Sequence, residues 1–268
     1  MARSLKSLMR AIWVLPLLSA CAEPLSPVTW ELNPVTWAVP PANDTAVPPG
    51  ARAAYRVDAE RLAVRYILAT EGEDIARIEL PTSLLDDMYR RLVLVHNAAT
   101  LAARDSVVDV YAIHTFPAPA TRELLVTVDK SAPWLAEWHA GRTVTGEPGI
   151  DTLVGRFDLE VVRCHVFQAF PYDMCVLRSG RPLVLRALGR LVAAASGVRS
   201  AQPNGPIGDG NDIDATREDG GWQLVYSVGW GDCPAGCTGR HTWRFVAADD
   251  GRVTFLDSSG PPPPDRRP

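Results

Sequence analysis

Residues 229–243, read in one-letter code as GWGDCPAGCTGRHTW, hold the densest chemistry in the chain: Cys233, Cys237 and His241 recur every four residues, with Asp232 beside the first. Thiolates and imidazoles are zinc donors when they can gather in a tetrahedron at about 2.0–2.3 Å. Three features argue against that use. The gap between the cysteines is not the usual two-residue knuckle, no fourth ligand stands out, and Pro234, Gly236 and Gly239 break the helix that would align the three side chains. C-type haem requires C-x-x-C-H, which is absent. The leading expectation is a Cys233–Cys237 disulfide closing a loop between two strands. A zinc or thiol-redox site at Cys233, Cys237 and His241 is the alternative. No cofactor is expected.

Other chemistry-bearing residues are scattered. His96, His114, His139, His165 and His241 form no metal-like pair in sequence. Asp105, Asp109 and His114 fall close enough for acid–base work, but no nucleophile accompanies them. The acidic run Asp209, Asn211, Asp212 and Asp214 suggests a calcium loop, yet Ile213 would occupy a ligand position and Gly220 the place of the closing glutamate. G-x-S-x-G, H-E-x-x-H, the P-loop and the dinucleotide fingerprint are missing. No catalytic residue is assigned, and the chain is expected not to be an enzyme.

Cys21 stands apart from the other four cysteines. Arg3, Lys6 and Arg10 precede an apolar run, Ala11–Ala20, which is the layout of a secretory signal peptide. Ten residues rise about 15 Å as a helix, half of a hydrocarbon core, so they do not span a bilayer. The segment Leu18-Ser19-Ala20-Cys21 resembles the lipobox of bacterial lipoproteins. That resemblance implies a diacylglyceryl group on the Cys21 thiol, cleavage before it and acylation of the new amine. With Ala22 following the cysteine, it further implies retention at the outer membrane. Several acyl chains satisfy the requirement for stable anchoring, which one chain does not. The pair GDGNDI (208–213) and GWGDCPAGC (229–237) also resembles segments of bacterial lipoproteins to which no activity is attached.

Loss of the leader removes three of the 27 basic residues against 31 acidic ones, taking the formal charge from −4 to −7. Nucleic acid, which demands a basic face, is excluded as a partner. In an oxidising compartment, Cys164, Cys175, Cys233 and Cys237 should form two disulfides. Three pairings exist, and the local ones, Cys164–Cys175 and Cys233–Cys237, are favoured.

The elements that must position these residues follow from patterning. Residues 1–20 are the leader and 21–54 a proline-rich tether with a duplicated Pro-Val-Thr-Trp at 27–30 and 34–37. The folded part, 55–204, opens with two helices, one capped by Asp58 and one with Ser83 and Asp86 in capping-box spacing. Residues 107–115 have strand character. From 122 the order is strand (122–129), helices (around 132–138 and 150–157), strands (159–167 and 174–178), helix (182–196) and strand (198–202). This β-α-β-β-α-β order predicts a ferredoxin-like module within an α+β fold. Residues 205–221 read as a flexible acidic loop, and 222–260 as a disulfide-bearing antiparallel β-meander that continues the same sheet, with an Asp250-Gly251 type I′ turn. Residues 261–268 should be a disordered tail.

The segment GVRSAQPN (197–204), following an amphipathic helix, resembles the end of the propeptides of subtilisin-like proteases. The resemblance covers residues 122–204 and implies a ferredoxin-like fold and a protease-inhibiting role. Gln202 stands where the family has an acid, and no protease domain follows. The resulting expectation is a membrane-anchored lipoprotein with a non-enzymatic binding or envelope-structural role. Its partners would be the membrane, through its lipid, and an envelope protein.

Overall fold

A computed structural model of the chain describes residues 47–72 and 74–265. The leader, Cys21, the duplicated Pro-Val-Thr-Trp and the tether up to residue 46 lie outside the described residues, as do the last three residues. The described chain is mixed α and β, with two antiparallel four-stranded sheets, and all of it falls in one compact unit.

Helix α1 (Pro49–Glu71) starts within the stretch expected as tether, with proline in its first turn. Asp58 is therefore not a cap. It lies in the third turn of α1, buried on the same face as Tyr55 and Leu62. Helix α2 (Thr82–His96) begins after Pro81 with no side-chain cap, so the Ser83/Asp86 capping box does not form. Residues 107–115, expected as a strand, form none. A short helix α3 (Ala102–Asp105) runs into a π-helical turn (Ser106–Val110). The β-branched residues misled here. Val107 is inserted into the core, and Arg104 fixes the turn by donating to the His96 carbonyl at 2.7 Å and pairing with Asp105 and Asp109.

The first sheet is built from β1 (Glu123–Asp129), β2 (Leu159–His165), β3 (Tyr172–Ser179) and β4 (Val198–Pro203) in the order β2-β3-β1-β4, every pair antiparallel. Helices α4 (Leu135–His139) and α5 (Pro148–Phe157) bridge β1 to β2, and α6 (Leu185–Ala193) bridges β3 to β4. Alternation along β1 buries Leu124, Val126 and Val128 against Trp138, Ile150, Phe157 and Leu188 of these helices. Gly197, at φ +83°, lets the chain leave α6 where a Cβ would meet Ala132 at 2.7 Å.

The second sheet is separate from the first and runs β5 (Asp212–Glu218), β6 (Gly221–Trp230), β7 (Gly239–Ala248) and β8 (Val253–Ser259) in sequence order. Strand β5 occupies part of the expected acidic loop. Ile213 and Ala215 alternate with polar residues and face the core, a period-2 signal masked by the surrounding acids. The β7–β8 turn has a positive φ only at Gly251, and the Gly251 N–H donates to the Ala248 carbonyl. A type I′ turn needs two such residues, so the expected turn type does not form. Trp222, Leu224, Tyr226, Trp243 and Phe245 face α1 and α2 in a second core.

One buried guanidinium holds α2 to this sheet. Arg91 donates to Asp87 at 2.8 Å, to the carbonyls of Ala247 and Ala248 at 3.2 and 2.7 Å, and to Asp249 at 2.8 Å. Asp87 also accepts the Trp222 indole N–H at 2.7 Å. Arg91→Met leaves the Asp87 carboxylate buried without its cation and should cost about 3–5 kcal/mol. In urea denaturation its midpoint should fall sharply, while that of Arg252→Ala, which loses an exposed pair, should not move.

Candidate functional site

The expected site residues are dispersed. Cys21 lies outside the described residues. Cys164 and Cys175 face each other across β2 and β3 and are paired, and Cys233 is paired with Cys237 in the β6–β7 connection. His241 is turned away from that loop, its Nδ1 3.0 Å from the Pro261 carbonyl and its ring against Trp243. Among the described residues, no three His, Cys, Asp or Glu side chains gather as metal donors.

The acidic run is consumed in holding the loop and α1. Asp209 accepts the Cys237 N–H at 3.1 Å and the Arg240 guanidinium, which holds its carboxyl below the usual range. Asn211 accepts the Gly229 N–H at 3.2 Å. Arg65 of α1 donates to Asp212 at 2.9 Å, to Asp214 at 3.1 Å, and to the carbonyls of Ile213, Phe116 and Ala118. These bonds stitch α1, residues 116–118 and β5 together. They also explain how a strand with so many carboxylates is tolerated.

The acid–base candidates regroup around Asp58. Asp105 and Asp109 pair with Arg104, whereas His114 Nδ1 lies 2.6 Å from Asp58. The same buried carboxylate accepts the Thr115 N–H at 2.9 Å and its hydroxyl at 2.7 Å. The Tyr55 hydroxyl is 3.0 Å from His96 Nδ1. A buried carboxylate orienting an imidazole is one part of a general-base system. The other part, a hydroxyl or thiol bonded to the outer imidazole nitrogen, is absent among the described residues. Asp58, expected only as a helix cap, and Tyr55, named in no expectation, carry these contacts; a carboxylate on the apolar stripe of α1 is the signal that marks the first.

The feature with no partner in either core is the second face of the first sheet. Half-buried Leu125 and Met174 and buried Val176 lie on central strands β1 and β3, yet belong to neither apolar cluster. In the register, Leu125 stands between Val176 and Gln202, and Thr127 between Met174 and Ser200. Ionic rungs frame the face. Arg178 donates to Glu123 at 2.6 Å, lowering the pKa of that carboxyl, and reaches Glu160 at 3.7 Å. At the other end, a register shift after Thr127 leaves Arg199 unmatched in β4. Arg199 pairs with Asp129 at 2.6 Å and lies over the Tyr172 ring. Such a surface can bind a complementary one.

Two outcomes follow from these contacts. The Asp58 hydrogen bond raises the His114 pKa, so its stabilisation is full below the ordinary imidazole value of about 6.5 and is lost as pH rises through the folded value. Burial and the nearby Arg104 lower the His96 pKa, so stability falls as pH drops from about 6.5 through that lower value. Urea denaturation across pH should show a maximum near this crossover, with His114→Asn flattening the alkaline limb. Chain entropy predicts that paired alanine replacement of Cys164 and Cys175 costs about 3 kcal/mol, against about 2 kcal/mol for Cys233 and Cys237. Calorimetry of the two double variants checks the order. No family model, curated protein or solved structure matches the chain.

Proposed function

We propose that the chain is a lipoprotein of the bacterial cell envelope, held at the outer membrane through acylated Cys21, whose folded part is a non-enzymatic binding module. The observation that carries the binding reading is the helix-free face of the first sheet, where half-buried Leu125 and Met174 flank buried Val176 and all three stay outside both cores. A partner covering them gains about 25 cal/mol per Å² of apolar surface, and the Arg178–Glu123 and Arg199–Asp129 pairs supply a polar rim. The order β2-β3-β1-β4, with helical crossovers between β1 and β2 and between β3 and β4, supports a ferredoxin-like module. The sequential order of β5 to β8 supports a β-meander. Among the described residues no helix is long and apolar enough to cross a membrane. The anchoring reading draws its support from the lipobox resemblance.

A second reading is favoured by the position of that face. It lies beside β4, whose residues carry the GVRSAQPN resemblance, and so supports a propeptide-like protease inhibitor. Inhibition of a subtilisin-type protease by the purified chain separates the two, because the binding-module reading predicts none.

The leading reading is tested in cells with the complete chain. Cys21→Ser should move the protein from the membrane to the soluble fraction. A photocrosslinking amino acid at Met174 should give one discrete adduct that Leu125→Asp abolishes, while the same probe at Thr254, on the outer face of the second sheet, gives none. Equal adducts at Met174 and Thr254, or an adduct indifferent to Leu125→Asp, would contradict the assignment of this face.

A further inference from the structure

The connection between β2 and β3 carries three aromatic rings that serve neither core. Phe167 and Phe170 meet edge to face with centroids 6.0 Å apart, and Phe170 stacks on Tyr172 at 5.2 Å. None of the three belongs to an apolar core cluster. Val166 is 55% exposed and Phe170 49%, so adjacent apolar groups face water at the tip. Rings on a mobile loop would be unremarkable, but this loop is fixed from below. The Lys130 N–H donates to the Pro171 carbonyl at 3.0 Å, and Lys130 Nζ donates to the Phe167 carbonyl. Asp173, 3% exposed, accepts the Phe167 N–H at 3.0 Å. The Cys164–Cys175 bridge closes the two strands behind.

Around the tip Lys130, Arg163 and Arg199 stand against Asp129 and Asp173, an excess of one positive charge, with exposed Arg163 bonded to His165. The nearby carboxylates are both engaged: Asp129 with Arg199, and Asp173 with His139 at 3.1 Å and Lys130 at 3.6 Å. The chain as a whole is acidic, so this local excess runs against the mean. Amphipathic rings ringed by cations match the headgroup level of a bilayer, where aromatic side chains concentrate and basic residues meet anionic lipid. The described unit starts at Val47, 26 residues beyond Cys21.

We infer that the β2–β3 tip, through Val166, Phe167, Phe170 and Tyr172, inserts into the interface of a glycerophospholipid bilayer containing anionic headgroups. The inference rests on the anchored reading above only for how the tip is brought to a membrane. Insertion itself requires no lipid on Cys21, which permits a separate test. The complete mature chain (residues 21–268) with Cys21→Ser is floated with phosphatidylethanolamine vesicles with and without phosphatidylglycerol, at low salt. It should float with the mixed vesicles and less with the neutral ones. Val166→Asp/Phe170→Asp should lower the partition coefficient about tenfold or more, with an unchanged melting temperature because both positions are exposed. Amide exchange over residues 166–172 should slow in the presence of mixed vesicles. Failure to float, equal flotation of the double variant, or unchanged exchange at the tip would overturn the inference and leave these rings to a protein partner. Because Cys21 is already replaced, none of these results bears on whether the native chain is anchored.

Discussion

Helices cover the first sheet on one side only, and this asymmetry governs the molecule's behaviour. Strand β1 alternates strictly, so Leu124, Val126 and Val128 point into the core formed with α4, α5 and α6, and Leu125 and Thr127 necessarily point the other way. A pleated strand cannot satisfy one face without presenting the other. On most solvated faces the outward positions are polar. Here the outward positions at the centre are apolar, Leu125 and Met174 half-buried and Val176 buried, and charged pairs lie toward the ends of the strands.

The second half of the molecule answers the same problem differently. Its sheet is closed on the inner side by α1 and α2, and the seal is partly polar. Arg91 and Arg65 each bind several carbonyls and carboxylates from separate strands and loops, so neither helix can shift without stranding buried charge. The Asp58–His114 contact adds a third tie, between α1 and the segment after the π-helical turn. These three ties account for many of the groups that looked reactive in sequence. The disulfide loop is tied in as well, through Asp209 and Arg240.

Strongly periodic segments were legible in advance. The strands at 123–129 and 172–179, helix α6 and the last three strands all carry clean alternation or amphipathy, and both cysteine pairs were foreseen because each is local. The failures share a cause. Asp58 reads as a cap because carboxylates favour helix ends, but here the carboxylate is needed in mid-helix by His114 and Thr115, partners more than fifty residues away. Strand β5 was hidden because Arg65, distant in sequence, neutralises its acids. Val107 and its neighbours have strand propensity, yet a core position and the Arg104 contacts turn them into a π-helical segment. In each case a long-range contact overrides a local preference. The open face was half legible, since alternation in 123–129 reveals a second face without saying what covers it.

Hydroxyl-radical footprinting of the complete chain in solution, without a partner, tests the one-sided sheet most directly. The account predicts labelling of half-buried Met174 and Leu125 well above that of Leu124, Val126 and Leu177, which stay protected. Protection of Met174 and Leu125 to the level of Leu124 in the isolated monomer would show a layer already in place on that face, and would contradict the account.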